Sequence, residues 1–317
     1  MSIQEQETVK RNPMSYFKVH ILGCGSATPT VRHAPTAQVI DLRDKLYLID
    51  CGEGTQLQMR RYKIRFNKIN HLFISHLHGD HCFGIPGFIA TLGLLHRTAC
   101  LTIHGPAGIE SYLSPIITQF CRELPFNVHF NVIDTRKNEL VMEDRSLQVY
   151  SIPLKHRVPT CGFLFAEKPR EPHIIRERID FYRIPFWEIA AIKKGKDFVT
   201  EEGTIIPHTH LTRPADPPKR YAFCSDTTFS PSIIPYIEGV DCLYHEATYL
   251  DKDRQRAKDT SHSTALQAAE IAVRAGVKQL VLGHYSARYK DLNEFAKEAA
   301  TLFPNVTLAD EGQVIIV

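Results

Sequence analysis

The chain lacks a long hydrophobic run. Its longest apolar stretch, 85–95, is interrupted by one proline and two glycines, whereas a helix that crosses a bilayer needs about 20 apolar residues. The N-terminal segment 1–17 carries charges throughout and has no apolar core of the kind found in export signals. The sequence therefore predicts a soluble protein of the cytoplasm that has no membrane partner.

A disulfide framework and a strong charge imbalance are also missing. The eight cysteines are scattered over 317 residues without a Cys-x-x-Cys pair, which favours a reducing compartment. There are 38 basic and 35 acidic side chains, and this balance neither favours nor excludes nucleic acid as a partner. With 43% hydrophobic and 23% charged residues, the composition is that of a globular protein and excludes a disordered or collagen-like chain.

Short apolar runs rich in β-branched residues alternate with helical stretches along the chain. The clearest helix is predicted from about Thr264 to Ala275, because Thr264 and Gln267 have the spacing of a capping box and Gly276 provides a stop. A second helix is predicted at about 292–301. Strands mixed with helices over the whole length indicate a layered α/β fold. The strand predictions cover 19–22, 45–49, 71–74, 146–152, 221–224, 241–244 and 279–282.

The segment from Glu167 to Lys219 differs from the rest in being polar and rich in proline. It contains the only tryptophan, Trp187, and a basic cluster at 193–196. Strand-like runs flank it on both sides. We therefore expect a single domain over 1–317 with an arm inserted at 167–219, and not a linker between two domains.

Sixteen histidines stand out in the composition, and three of them lie in one motif. His76, His78, Asp80 and His81 fall within six residues, directly after a predicted strand. A loop at a strand end lets such side chains converge, and imidazole nitrogens and carboxylates are zinc ligands. A polar loop with surface histidines is the alternative. It would suit a single histidine better than this whole pattern.

Further candidate ligands follow other predicted strands. His156, Asp226 and His284 each lie just past an apolar run. Sites in layered α/β folds collect at the carboxyl ends of strands, and a carboxylate such as that of Asp226 can bridge two ions. Each residue alone would more often be a structural polar group. Together with the histidine motif they predict a centre for two metal ions.

These motifs resemble those of the metallo-β-lactamase superfamily and, within it, the ribonuclease Z family. The motif HLHGDH at 76–81 is typical of the whole superfamily. The resemblance covers nearly the entire chain, from about Val19 to Val317. Further motifs narrow it to the family: GCGSATP at 23–29, CSDT at 224–227, HEAT at 245–248, SHST at 261–264 and GHYSARY at 283–289.

The resemblance implies an αββα sandwich that binds two zinc ions per subunit. One ion would be bound by His76, His78, His156 and Asp226. The other would be bound by Asp80, His81, Asp226 and His284. Asp50 would hold the ligand loops and orient a histidine without binding metal. Ligand type alone leaves manganese and iron open as the bound metal.

The resemblance further implies an endonuclease that removes the 3′ trailer from precursor tRNA and leaves a 3′-hydroxyl on the tRNA. Zinc lowers the pKa of bound water, and Asp80 would orient or deprotonate that water. His262 is expected to protonate the ribose leaving group, and Glu246 to orient His262. Ser286 and Arg288 are expected to contact the scissile phosphate.

The family also implies a homodimer in which the arm of one subunit holds the tRNA that the other subunit cuts. The segment 167–219 occupies the position of that arm. It lacks the Gly-Pro-rich run of the better-known bacterial forms. The sequence therefore predicts a tRNA-binding arm of unusual construction.

Three other functions stay open at this point. A related metallo-hydrolase of a small ester or thioester would keep the metal residues but has no use for the Arg288-Tyr289 motif. An RNA phosphodiesterase or exonuclease of broader specificity would use the same site. A non-catalytic RNA-binding module is disfavoured because every expected metal ligand is present.

Overall fold

The computed structural model describes residues 17–121 and 123–317, so the predicted absence of an export signal concerns residues that lie outside the described ones. No helix in these two ranges is long and apolar enough to span a bilayer. The strands are β1 (Phe17–Gly23), β2 (Gly25–Ser26), β3 (Ala37–Leu42), β4 (Lys45–Ile49), β5 (Ile69–Phe73), β6 (Leu101–Pro106), β7 (Val128–Ile133), β8 (Leu140–Glu143), β9 (Leu147–Pro153), β10 (Cys161–Glu167), β11 (His173–Ile174), β12 (Phe198–Val199), β13 (Ile205–Ile206), β14 (Thr212–Arg213), β15 (Arg220–Cys224), β16 (Cys242–Glu246), β17 (Gln279–Gly283), β18 (Tyr285–Ser286), β19 (Val306–Leu308) and β20 (Val314–Ile316). The α-helices are α1 (Thr55–Arg61), α2 (Gly79–Cys82), α3 (Ile85–Leu94), α4 (Ile109–Phe120), α5 (Arg176–Phe181), α6 (Phe186–Lys193), α7 (His208–Leu211), α8 (Ile234–Ile237), α9 (Arg254–Thr260), α10 (Ala265–Ala275) and α11 (Asn293–Ala300).

Two seven-stranded sheets form the framework. The first has the order β20-β1-β3-β4-β5-β6-β7, and the second has the order β19-β17-β16-β15-β10-β9-β8. Strands β4 to β7 are parallel in the first sheet, and β15, β16, β17 and β19 are parallel in the second. Each of the seven apolar runs predicted to be strands falls in one of these sheets, so those predictions are confirmed.

Aromatic side chains pack between the inner faces of the two sheets. The ring of Phe73 on β5 meets the rings of Phe163 and Phe165 on β10 edge-on, with centroids 5.4 and 5.3 Å apart. Tyr221 on β15 donates a hydrogen bond to the side chain of Gln38 on β3. These contacts make the two sheets a β-sandwich with one shared core.

Helices cover the outer faces of the sandwich. Leu48, Leu72 and Ile103 of the first sheet belong to one buried cluster with Phe88 of α3 and Leu113 of α4. On the second sheet, α10 packs along β16 and β17, and α11 packs along β19. The order of layers is helix, sheet, sheet, helix, which confirms the predicted αββα fold.

The local signals that predict α10 are present in the structure. The Thr264 hydroxyl accepts a hydrogen bond from the backbone N–H of Gln267, and the Gln267 side chain accepts one from the backbone of Thr264. Gly276 ends the helix in the left-handed conformation, with φ at 60°. The N-cap, Thr264, lies two residues after His262, so the capping box fixes where the loop that carries His262 joins the helix.

A second compact unit comprises Glu143–Gln148 and Ala166–Lys219. Its chain ends lie together, because the backbone N–H of Glu167 donates to the carbonyl of Lys219 at 2.9 Å. Phe181, Phe186 and Trp187 of this unit are exposed. The unit has a small core of its own, formed by Ile184, Ile192, Phe198, Ile206 and Leu211.

Candidate metal centre

Strand ends bring the candidate ligands to one edge of the sandwich. β4 and β5 are parallel to each other, and so are β15, β16 and β17, so the strands of each group end on the same side. Residues that follow these ends and the end of β9 surround a pocket of about 290 Å³. The predicted site residues that line this pocket are His78, Asp80, His156, Asp226, His262, His284 and Ser286.

The first ligand group consists of three imidazoles and one carboxylate oxygen. Nδ1 of His78 lies 3.0 Å from Nε2 of His76 and 3.3 Å from Nε2 of His156. Oδ2 of Asp226 lies 3.5 Å from Nε2 of His76 and 3.7 Å from Nε2 of His156. These four atoms converge on one point, as the sequence predicts for the first metal ion.

The second ligand group uses the other oxygen of the same carboxylate. Oδ1 of Asp226 lies 3.1 Å from Nε2 of His81 and 3.1 Å from Nε2 of His284. Oδ2 of Asp80 lies 3.5 Å from each of these two imidazole nitrogens. Asp226 therefore presents one oxygen to each group, which is the geometry of a bridging carboxylate.

The donor atoms fit a pair of divalent ions. Nε2 of His81 and Nε2 of His284 are buried and have no hydrogen-bond partner among the residues that the structure describes. The facing imidazole nitrogens of His76 and His78, 3.0 Å apart, need a proton or a cation between them. A set of imidazoles and carboxylates suits first-row divalent metals. The site is built to bind metal.

Electrostatics keeps the carboxylates of the site ionised. Burial opposes the charge on Asp226, but His284, His81 and His76 overcome it and hold its pKa well below the usual value. The pKa of Asp80 is likewise lowered against the effect of burial, chiefly by His81 and His284. Both carboxylates are thus in the charged form that binds cations.

The rear nitrogens of the ligand histidines are fixed by hydrogen bonds. Nδ1 of His81 donates to Oδ2 of Asp50 at 2.7 Å, and Asp50 also accepts the backbone N–H of Ser75 at 2.8 Å. Nδ1 of His156 donates to the carbonyl of Ser261 at 2.9 Å. These bonds select the tautomer in which Nε2 is free to bind metal. Asp50 is buried behind the ligands, in the position that the resemblance implies.

The backbone at three site residues adopts a conformation that side chains rarely take. Asp50, Asp226 and His284 have φ angles of 52°, 53° and 61°, in the left-handed region. Each follows a strand and turns the chain sharply at the pocket edge. Such conformations cost about 1–3 kcal/mol each and cluster at functional sites. Asp226 and His284 are members of the ligand groups, and Asp50 hydrogen-bonds the ligand His81 from behind.

The buried Glu246 and the partly buried His262 form a pair next to the ligands. Oε1 of Glu246 accepts from Nδ1 of His262 at 2.9 Å, and Oε2 accepts from the hydroxyl of Thr248 at 2.6 Å. Burial acts to lower the pKa of His262, but Glu246 outweighs it and raises the pKa to about 9. The ring of His262 lies 5.0 Å from that of His156 and 5.4 Å from that of His284, measured between centroids. An imidazole that holds a proton therefore lies beside both ligand groups.

The two residues expected to bind phosphate, Ser286 and Arg288, differ in whether they line the pocket. Ser286 lines the pocket. Arg288 does not line it: its guanidinium pairs with Asp253 at 3.5 Å and lies 5.5 Å from the ring centre of Tyr249. Only Nη1 of Arg288 is in this ion pair, and the other N–H donors of the guanidinium are left for a phosphate.

Two contributors to the site were missed by sequence reasoning. The backbone N–H of Ala27 donates to Oδ2 of Asp80 at 2.7 Å. The hydroxyl of Thr248 donates to Glu246 and lies 3.0 Å from Nδ1 of His284. Both residues lie in motifs that resemble those of the family, at 23–29 and 245–248. Membership of these motifs is the one feature of the sequence that indicates them, since a backbone donor or a bridging hydroxyl is not tied to a residue pattern.

Replacing Glu246 by Gln tests the pairing with His262. The neutral amide of Gln does not stabilise the protonated imidazole of His262. We therefore expect the rate of the reaction at this site to fall by about 10- to 100-fold. Bound metal, measured by elemental analysis, should be unchanged. Glu270 is a partly exposed glutamate of α10 that pairs with Arg274 at 3.2 Å, and Glu270→Gln serves as the control. Loss of metal together with activity would show that Glu246 supports the ligands and not His262.

Known proteins resemble this chain over nearly its whole length. A family model described as Anti-Pycsar protein Apyc1 matches residues 17–166. A ribonuclease Z of Parabacteroides distasonis is 63% identical over 94% of this chain and 98% of its own, and one of Bacteroides fragilis is 56% identical over 95% and 99%. The crystal structure of human tRNase Z, short form, superposes with a TM-score of 0.68 at 26% identity, covering 95% of this chain and 99% of the human one. The chain therefore belongs to the ribonuclease Z family.

Proposed function

We propose that this protein is a zinc-dependent endoribonuclease that removes the 3′ trailer from precursor tRNA. The observation that carries the proposal is the hydrogen-bonded Glu246–His262 pair beside two ligand groups that share Asp226. The high identity to proteins named ribonuclease Z supports the same reaction and substrate. The products are a tRNA with a 3′-hydroxyl and a trailer with a 5′-phosphate.

The residues of the site divide the work of phosphodiester hydrolysis. Two divalent ions held by the ligand groups would activate water and neutralise charge on the phosphate. The carboxylate of Asp80 orients the attacking water or accepts its proton. As water oxygen bonds to phosphorus, the bond from phosphorus to the ribose O3′ breaks. His262 donates its proton to O3′, and Glu246 stabilises the imidazolium before the transfer.

Cleavage of a 3′-extended precursor tRNA tests the proposed reaction. We expect one discrete cut near the discriminator nucleotide, mapped by sequencing both product ends. Stepwise shortening of the trailer would indicate an exonuclease. Hydrolysis of small esters without any RNA cleavage would indicate a metallo-hydrolase of another class. Either result would overturn the proposal.

Zinc is the metal that we propose for both ligand groups. Imidazole nitrogens with carboxylate oxygens are ligands typical of catalytic zinc. Metal removal with a chelator should abolish cleavage, and zinc should restore it. Restoration by manganese or iron with failure of zinc would contradict this assignment, since the same ligands accept those metals.

We propose that the second unit is the tRNA-binding arm. Between residues 167 and 219 there are ten Lys or Arg and nine Asp or Glu side chains, so the arm has little net charge. Lys193 pairs with Glu171 at 3.2 Å, and Lys196 pairs with Glu188 at 3.0 Å. Attraction to phosphates alone is therefore weak. The exposed Phe181, Phe186 and Trp187 provide surfaces on which bases stack.

Removal of the arm should impair the cleavage of precursor tRNA but not the hydrolysis of small substrates. A short Gly-Ser linker in place of 170–212 fits, because the chain enters and leaves the arm at hydrogen-bonded neighbours, Glu167 and Lys219. We expect cleavage of precursor tRNA to fall at least tenfold, while hydrolysis of a chromogenic phosphodiester stays unchanged. Equal losses on both substrates in the deletion variant would exclude the arm as a binding element.

Trp187→Ala should raise KM for tRNA by roughly tenfold, because a base stacked on an aromatic ring contributes about 1–3 kcal/mol.

A homodimer is proposed as the active assembly. Mixing two inactive variants tests it, one with Asp226→Asn and an intact arm, the other with the arm deleted and an intact site. Mixed dimers should regain tRNA cleavage if the arm of one subunit serves the site of its partner. No recovery, together with a monomeric mass in sedimentation, would contradict the proposal.

A further inference from the structure

A second cluster of metal-capable side chains lies outside the two-ion centre. Cys24 follows β1, His33 lies in the loop before β3, and Glu311 lies between β19 and β20. Sγ of Cys24 is 3.4 Å from Nδ1 of His33 and 3.6 Å from Oε1 of Glu311, and Nδ1 of His33 is 2.9 Å from Oε2 of Glu311. All three side chains are at least nine-tenths buried. None of them is a ligand in either of the groups described above.

The separations within the cluster match those around a tetrahedral ion. Ligand atoms at 2.0–2.3 Å from zinc lie about 3.3–3.7 Å from one another. The sulfur of Cys24 lies within this range of Nδ1 of His33 and of Oε1 of Glu311. The other carboxylate oxygen, Oε2, lies 2.9 Å from Nδ1 of His33, and this contact must lengthen by about half an ångström for an ion to enter. Oδ1 of the exposed Asp310 lies 3.8 Å from Nδ1 of His33 and offers a fourth ligand.

Oε1 of Glu311 accepts the backbone N–H groups of Ala34 at 2.9 Å and of Cys24 at 3.3 Å, but the thiol and the imidazole of the cluster face more acceptors than they have protons. The thiol of Cys24 has one proton but faces the carbonyl of Ala309 at 3.4 Å as well as His33 and Glu311. Nδ1 of His33 in turn faces sulfur and two carboxylates. A cation at the centre would satisfy sulfur, nitrogen and oxygen at once.

Charge balance also favours a divalent ion. A thiolate and a carboxylate together carry two negative charges, which neutralise a divalent cation in a buried place. Thiolate with imidazole and carboxylate is a ligand set that selects zinc over magnesium or calcium. The two-ion centre, by contrast, has only nitrogen and oxygen ligands.

We propose that Cys24, His33 and Glu311 bind a third metal ion of the zinc type. The ion fastens the loop from Gly25 to Pro35 to the C-terminal strands. That loop carries Ala27, whose N–H holds the Asp80 carboxylate at the two-ion centre. The third ion is thus a structural brace for one wall of the active site.

Cobalt substitution distinguishes the third site from the two-ion centre. Thiolate bound to Co²⁺ gives an intense charge-transfer band in the near ultraviolet, which nitrogen and oxygen ligands do not give. The full-length apoprotein reloaded with Co²⁺ should show this band and bind about three ions per chain. Measurements on the wild-type protein alone test the third site. Saturation at two ions with no thiolate band would overturn the proposal.

Variants assign the band to this cluster. Cys24→Ser and Glu311→Gln should each lose the band and one bound ion. Cys242→Ser, which removes another buried thiol, and Cys100→Ser, which removes the exposed one, should keep both. Asp226→Asn should lose metal from the two-ion centre and keep the band, so the result is independent of the proposed RNA cleavage. A band that survives in Cys24→Ser, or disappears in Cys100→Ser, would contradict the assignment.

Discussion

Replacing Asp226 by Asn is expected to lower the cleavage of precursor tRNA by roughly 10³- to 10⁴-fold, because metal ions supply several kcal/mol of transition-state stabilisation. Each oxygen of Asp226 faces a different ligand group. The amide has nearly the same shape but carries no charge, so it cannot bridge two cations. Single-turnover rates and elemental analysis of the same samples measure the two effects together.

Two controls separate the loss of the metal centre from a loss of folding or of RNA binding. Asp241→Asn removes another largely buried aspartate, whose partner Lys278 lies 2.8 Å away and outside the site. This variant should keep both metal and turnover. Binding of uncleaved tRNA by Asp226→Asn should weaken far less than turnover does, since the proposed arm contributes contacts of its own. Full turnover with a reduced metal content would show that Asp226 does not serve the catalytic ions.

Local patterns explain why so much of the fold was predictable. An apolar run such as that of β4 needs only its own side chains to indicate a strand, and the capping box of α10 spans four residues. The ligand motif 76–81 was equally local. His156, Asp226 and His284 were predicted because each follows an apolar run, and sites in layered α/β folds collect at the carboxyl ends of strands.

What the sequence could not show depends on contacts between distant segments. The left-handed backbone of Asp226 and His284 is stable only because the surrounding strands enforce it. The N–H of Ala27 reaches Asp80 across 53 residues of sequence. Arg288, expected at the phosphate, is paired with Asp253 on a neighbouring turn. No spacing rule within a single segment encodes such pairings.

Replacing His262 by Ala is expected to slow tRNA cleavage by about 10²- to 10⁴-fold, the usual contribution of a general acid. The ribose O3′ is a poor leaving group and needs the proton that His262 carries. His262 is not a member of either ligand group of the two-ion proposal, so bound metal should be close to that of the wild type. Rates on precursor tRNA under single-turnover conditions measure the loss.

A chromogenic phosphodiester shows whether the loss reflects proton transfer. A nitrophenolate leaves without protonation, so removal of a general acid should scarcely affect this substrate while it slows RNA cleavage strongly. If His262 instead supported the ligands His156 and His284, whose rings lie within 5.4 Å of its own, both substrates would slow alike. If His262 is the general acid, Glu246→Gln should also slow tRNA cleavage more than hydrolysis of the chromogenic diester, though to a smaller extent, because Glu246 holds the imidazole of His262. A larger loss of rate on the chromogenic diester than on tRNA would contradict the role of His262 as general acid.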